Sequence, residues 1–230
     1  RITLEHQTAA FTNEQMENMA FQMKTMIMYA VNHPDLPCGE WKMPLSDAEM
    51  ARLANFNRTE CDYDNTQTIP SLFRKAAAMY PDNDCVVYDG RHYSYKEVDE
   101  LSDNIAWMIH ERGIGREQVV SVLIPRCEYM AIASLGIVKA GAAYQPLDPT
   151  YPEERLNFMM KDADARLLIC DRSLRAKVNE YQGDILYIDE IQAIVPRSFA
   201  SGLPLSPLPS SLFILLYTSG STGTPKGCQI

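Results

Sequence analysis

Residues 119–124, Val-Val-Ser-Val-Leu-Ile, read as an almost continuous apolar run. A strand with one wet face alternates apolar and polar residues; a run without that alternation suits a strand covered on both faces, as in a parallel sheet. The flanking segments agree. Before it, Ser94 and Glu97 form a capping-box pair, followed by Val98, Leu101, Ile105, Met108 and Ile109 at helical spacing, with Gly113 as the stop. After it, a helix is predicted from about Glu128 to Ala140, ended by Gly141, and a short strand over 142–145.

The same alternation extends from residue 71 onward. Leu72 to Tyr80 suits a helix stopped by Pro81. Residues 85–88 suit a strand, Asp89-Gly90 a tight turn, and Arg91 to Tyr93 the returning strand. Thr150, with Glu153 three residues later, is the predicted cap of a helix near Pro152 to Lys161. Arg166 to Cys170 and Ile185 to Ile188 are predicted strands flanking a helix near Ser173 to Glu180. Residues 196–211 form a Pro/Ser loop, and Leu212 to Tyr217 a last buried strand. The fold class expected is α/β, a mostly parallel sheet flanked by helices.

The first 44 residues differ. Ile2 and Leu4 alternate with polar neighbours, a short strand signal. Thr12 and Gln15 open a helix from Asn13 to about Val31, ended by Pro34 and Pro37. Met16, Met19, Met23, Met26 and Ile27 give it an apolar stripe, which predicts core packing. One strand and one helix cannot enclose a core, so residues 1–44 read as a short α+β tail of a preceding domain. Residues 45–70 read as a linker with an entry helix, capped by Ser46 and Glu49. Residues 71–230 are the main α/β region.

Composition narrows the function classes. The chain has 230 residues, 46% hydrophobic and 22% charged, with a formal net charge of −9. This is globular composition, and its acidic balance argues against nucleic acid as a partner. No apolar stretch is long enough to span a membrane. Six cysteines are dispersed, the nearest pair being Cys38 and Cys61. That spacing excludes C-x-x-C redox or zinc motifs and fits a reducing, cytoplasmic setting, most of the thiols serving as buried small hydrophobes. His6, His33, His92 and His110 are far apart and form no predicted metal site.

The chemistry-bearing segment is Tyr217-Thr218-Ser219-Gly220-Ser221-Thr222-Gly223-Thr224-Pro225-Lys226-Gly227. Residues 218–227 hold five hydroxyl side chains, three glycines and one lysine directly after an apolar strand. Glycines let backbone N–H groups approach an anion closely, hydroxyls donate to phosphate oxygens, and the lysine adds a compact positive charge. The motif is not a Walker A loop, because Lys226 lies between Pro225 and Gly227, and its glycine spacing is not G-x-G-x-x-G. The competing reading is a Ser/Gly surface loop without a ligand.

Residues 217–227 resemble the phosphate-loop signature of adenylate-forming enzymes, the superfamily of acyl-CoA synthetases, luciferases and peptide-synthetase adenylation domains. Tyr93-Ser94-Tyr95-Lys96-Glu97-Val98 resembles the first core motif of the peptide-synthetase branch. Val138 to Pro149, followed by Tyr151-Pro152 and Glu154-Arg155-Leu156, resembles the second. The resemblance covers about residues 46 to 230; residues 1–44 are similar, more weakly, to the closing strand and helix of a condensation domain. It implies the N-terminal part of the large domain of a nonribosomal peptide synthetase adenylation unit. That unit uses ATP and Mg2+ to activate an amino acid as its adenylate and loads it on the phosphopantetheine of a separate carrier domain. Thr218, Ser219, Gly220, Ser221, Thr222 and Gly223 would cradle the β- and γ-phosphates, and Lys226 would neutralise them or brace the loop. The family's catalytic lysine, magnesium-binding acid and substrate pocket belong to segments beyond these motifs, so no catalytic or metal-ligating residue is assigned here, Lys139 and Asp148 included. The chain by itself is expected to be inactive. Two alternatives stay open: a fragment of an acyl- or aryl-acid-CoA ligase, and a non-catalytic platform between domains.

Overall fold

The computed structural model describes residues 3–41, 45–193, 207–219 and 224–230. The chain divides into two units, residues 1–63 and 64–230.

The first unit is a pair of helices, α1 (Asn13–Asn32) and α2 (Asp47–Phe56). Both start where their capping boxes predict. The Gln15 N–H donates to the Thr12 hydroxyl at 3.2 Å, and the Glu49 N–H to the Ser46 hydroxyl at 3.2 Å. Arg52 pairs with Glu14 at 2.8 Å, and the Gln22 amide donates to Glu49 at 3.2 Å. The half-buried positions of α1 are Met16, Asn18, Gln22, Thr25, Tyr29 and Ala30, whereas Met19, Met23, Met26 and Ile27 are exposed. The core packing expected of the methionine stripe is therefore not seen among the described residues, apart from the half-buried Met16: α2 meets the side that carries Gln22, and no described layer faces the rest of the stripe. The strand expected at Ile2 and Leu4 is not formed at Leu4, since a strand needs a partner and none is present among the described residues; Ile2 lies outside them.

The second unit opens with α3 (Ile69–Met79), capped by Thr68. It begins before the predicted Leu72 because Pro70 falls in its first turn, where a missing N–H costs nothing. β1 (Asp84–Tyr88) and β2 (Arg91–Ser94) form the expected hairpin, with Asp89 and Gly90 at φ of 48° and 73°. α4 (Tyr95–Glu111) follows, capped by Ser94 and Glu97.

The centre is a four-stranded sheet of β3 (Val119–Leu123), β4 (Ala143–Pro146), β5 (Leu167–Cys170) and β6 (Asp184–Tyr187). All neighbours are parallel, in the order β4-β3-β5-β6. Every residue of β3 and β5 is buried, as the unbroken apolar runs require. α5 (Tyr129–Lys139) and α6 (Glu153–Asp162) are the crossovers on either side of β4. Val120, Val122, Leu167 and Ile169 pack with α4 and α5 on one face. Leu123, Leu168 and Cys170 pack with Leu156, Met159 and Met160 of α6 on the other. The period of two along each strand divides the core into these two layers.

The α4–α5 contact is close and partly ionic. A Cβ at Gly136 would stand 2.6 Å from the Ile105 Cβ. The fully buried Lys139 amine donates to Asp99 Oδ1 at 2.6 Å and Asp103 Oδ1 at 2.7 Å, and Arg74 of α3 pairs with Asp103 at 2.9 Å.

Three local expectations are corrected. Thr150 does not cap α6. Its N–H and hydroxyl donate to Asp148 Oδ1 at 2.8 and 2.7 Å, and Pro152 occupies the cap position. The helix expected near Ser173 to Glu180 is a tighter 3-10 stretch, Arg172–Val178, opened by Asp171. The last strand, β7, spans Leu215–Ser219 and is not a buried central strand. It pairs antiparallel with β8 (Pro225–Gln229), and of its residues only Leu215 is buried. A short helix, α7 (Ile188–Gln192), follows β6. Of the predicted 196–211 loop, residues 196–206 lie outside the described residues.

The expectation that most cysteines are buried is not met. Only Cys170 is buried; Cys85 and Cys127 are half-buried, and Cys38, Cys61 and Cys228 are exposed. All six are free thiols.

Candidate functional site

The site begins where the apolar segment 212–216 reaches the carboxyl side of the sheet. At its base the hairpin is fastened to β4: the Tyr144 N–H donates to the Phe213 carbonyl at 3.0 Å, and Tyr144 and Ile214 form a parallel bridge. Beyond that base, β7 and β8 pair with each other. Tyr217 stands opposite Gly227, Thr218 opposite Lys226, and Ser219 opposite Pro225.

Tyr217 crosses the ladder. A Cβ at Gly227 would lie 3.2 Å from the Tyr217 Cζ, so the glycine leaves room for the ring. The Tyr217 hydroxyl donates to Asp162 Oδ2 at the end of α6, at 2.6 Å. Burial, and then the bond to and negative charge of Asp162, hold the Tyr217 hydroxyl well above the ordinary phenol range, so it stays protonated and donating.

Next to the hairpin a cleft of about 630 Å³ opens at the carboxyl ends of β3 and β4. Its walls include Arg126, Met130, Asp148, Tyr151, Leu216 and Tyr217. Ligands of open parallel sheets bind outside these strand ends. The Asp148 elbow is held firmly: hydrogen bonds from the Thr150 N–H and hydroxyl keep its carboxyl below the usual aspartate value. The Lys177 amine donates to the Pro149 carbonyl at 2.6 Å, and the Arg155 guanidinium stacks 4.1 Å from the Tyr151 ring. A second cavity, about 360 Å³, lies at the ends of β3 and β5. Its charges are already paired, Arg91 with Glu128 and Arg172 with Asp189, each at 2.8 Å.

Of the residues expected to bind phosphate, Thr218 and Ser219 lie on β7 and Lys226 on β8, brought together by the hairpin register. All three are exposed, and among the described residues nothing engages the Lys226 amine. Thr218 and Lys226 are direct partners and share one face of the hairpin, whereas Ser219, one residue on, faces the other way; a hydroxyl and an ammonium side by side suit an anion. Gly220, Ser221, Thr222 and Gly223 lie outside the described residues. Sequence reasoning quoted Tyr217 without giving it a role and missed Asp162, whose partner is 55 positions away. Among the described residues no group of three or more His, Cys, Asp or Glu side chains is placed to hold a metal, and no helix is long and apolar enough to cross a membrane.

The fold is shared with known structures. The N-terminal subdomain of Klebsiella oxytoca NpsA superposes with a TM-score of 0.64 at 25% identity, over 73% of this chain and 42% of that one. VinN superposes with a TM-score of 0.65 at 24% identity, over 73% and 46%, a likeness of fold. The AMP-binding enzyme family matches residues 73–230, and the chain belongs to it. Among curated relatives it is 35% identical over 230 residues to surfactin synthase subunit 1 of Bacillus subtilis (strain 168), 33% over 232 to tyrocidine synthase 2 of Brevibacillus parabrevis, and 33% over 230 to bacitracin synthase 1 of Bacillus licheniformis. Each match takes in the whole chain, which spans only 6%, 6% and 4% of the respective relatives. The chain thus corresponds to part of a nonribosomal peptide synthetase adenylation domain.

Proposed function

We propose that this chain is the phosphate-holding part of an adenylation domain that activates an amino acid. The observation that carries the reading is the β7–β8 hairpin, which sets Thr218 directly opposite Lys226, with Ser219 next along the strand, at the carboxyl edge of the sheet. In the reaction a substrate carboxylate oxygen bonds to the α-phosphorus of ATP, the bond from that phosphorus to the bridging oxygen breaks, and pyrophosphate leaves with both electrons. Thr218 and Ser219 donate to the β- and γ-phosphates together with Gly220, Ser221, Thr222 and Gly223. Lys226 balances charge that builds on the departing pyrophosphate. Mg2+ bound with the nucleotide would supply further neutralisation of phosphate charge. The phosphopantetheine thiol of a carrier domain then loses its proton and bonds to the acyl carbon, and AMP leaves with the electrons of the acyl–oxygen bond.

Residues 1–44 are the tail of a condensation-like domain, 45–70 a linker and entry helix, and 71–230 the adenylation portion. The exposed methionine face of α1 supports the first assignment, because it lacks a facing layer. The free thiols support a cytoplasmic setting. The whole-chain matches to peptide-antibiotic synthases support condensation and carrier domains as neighbours.

A second reading, with an aryl acid as substrate, is favoured by one observation: the similar NpsA subdomain is solved in complex with 3-hydroxybenzoyl-AMSN. ATP–pyrophosphate exchange by the full-length polypeptide, run with single amino acids and then with aryl acids, separates the readings. Exchange with one amino acid is expected. Exchange with aryl acids alone supports the second reading, and exchange with neither class overturns both. The 230-residue chain alone is expected to form no adenylate, and turnover by it refutes that statement.

A further inference from the structure

The β7–β8 hairpin is hydrogen-bonded to the main sheet only near its base among the described residues, through Tyr144, Phe213 and Ile214. Thr218, Ser219 and Lys226 lie further out, where the two strands bond to each other. An antiparallel pair on its own is marginally stable. Leu215 packs against Val119 and Ala143 at the base, and one polar side chain ties the hairpin further out. Tyr217 reaches from β7 to the last residue of α6, and its hydroxyl bonds to the Asp162 carboxylate at 2.6 Å. The opposed Gly227 carries no side chain to displace the ring.

We propose that Tyr217 and Asp162 are positioning residues, a strut that fixes the hairpin against α6 and so sets where Thr218, Ser219 and Lys226 meet the nucleotide's phosphates. The proposal rests on the phosphate reading given above. Thr218 and Lys226 are the next pair along the ladder from Tyr217 and Gly227. Movement of the tyrosine therefore shifts a hydroxyl and the ammonium together. A bond to an ionised acceptor is strong enough to matter at a half-exposed position.

The test is a titration of the full chain with MgATP, followed by the amide signals of Thr218, Ser219 and Lys226. Tyr217→Phe and Asp162→Ala are each expected to weaken MgATP about tenfold, in line with loss of one charge-assisted hydrogen bond. The double variant is expected to match the single ones within about twofold, because one bond is lost in all three. Asp162→Asn keeps a carbonyl acceptor and is expected to stay within about threefold of the parent chain, a rescue that general destabilisation does not produce. Lys226→Ala serves as the control for the phosphate reading. Parent-like affinity in Tyr217→Phe and Asp162→Ala, with Lys226→Ala weakened, overturns the strut and leaves the phosphate reading standing. Absence of any MgATP response in the parent chain, or parent-like affinity in Lys226→Ala, overturns the phosphate reading and the strut with it.

Discussion

Replacing Lys139 by methionine isolates the buried ion cluster between α4 and α5. The amine is fully buried and donates to Asp99 and Asp103, at 2.6 and 2.7 Å, and to the Asp99 backbone carbonyl at 2.9 Å. Removing one partner of a buried pair costs about 3–5 kcal/mol, because the other charge stays behind without compensation. Here the residual charges are partly covered. Asp103 keeps Arg74, and the Asp99 side chain is 27% exposed, so water reaches it. The lower end, about 3 kcal/mol, follows. For a unit of this size that is a fall in Tm of about 6–12 °C. Scanning calorimetry of the full chain gives the number. A second variant, Lys139→Met with Asp99→Asn, neutralises the carboxylate that loses its partner and leaves the Arg74–Asp103 pair in place; it should recover part of the loss. A fall of less than about 2 °C in the single variant refutes the reasoning, since a desolvated, hydrogen-bonded cation cannot be removed so cheaply.

Three further outcomes follow from the same coordinates. Gly136→Ala forces a Cβ to 2.6 Å from Ile105 Cβ and 2.9 Å from the Ser102 carbonyl; urea unfolding should show a loss of about 1–3 kcal/mol, and an unchanged midpoint contradicts the close α4–α5 approach. Burial pushes the Cys170 thiol up to about 11, so at pH 8 a thiol reagent should label Cys38, Cys61 and Cys228 first and Cys170 only in denaturant; early labelling of Cys170 contradicts its placement. The Asp148 carboxyl, held down by Thr150, should titrate below the ordinary 3.8. Its small stabilising effect is complete above that value and is lost as pH falls through the lower folded value; an NMR midpoint at or above 3.8 contradicts the elbow geometry.

Much of the architecture was legible because its causes are local. Thr12–Gln15, Ser46–Glu49 and Ser94–Glu97 start helices through contacts three residues apart, and Asp89-Gly90 supplies the positive φ of a tight turn. The apolar runs at 119–124 and 166–170 announced strands covered on both faces. Thr150 misled because Asp148, two residues away, competes for the same hydroxyl. The α1 methionines misled because a stripe shows that a face is apolar but not what covers it. β8 was invisible: Pro-Lys-Gly-Cys-Gln has no strand pattern and becomes a strand through pairing with β7. Thr218, Ser219 and Lys226 could be chosen from residue chemistry, whereas the Tyr217–Asp162 bond and the Lys139 cluster join residues far apart in the chain.

The central claim is that the hairpin grips the two terminal phosphates of a nucleotide, and selectivity among phosphate ligands tests it most directly. Inorganic pyrophosphate and MgATP should shift the amide signals of Thr218, Ser219 and Lys226 and compete with each other, while AMP, which lacks those phosphates, leaves the signals in place. Equal shifts by AMP and pyrophosphate, or none by pyrophosphate, would contradict the account.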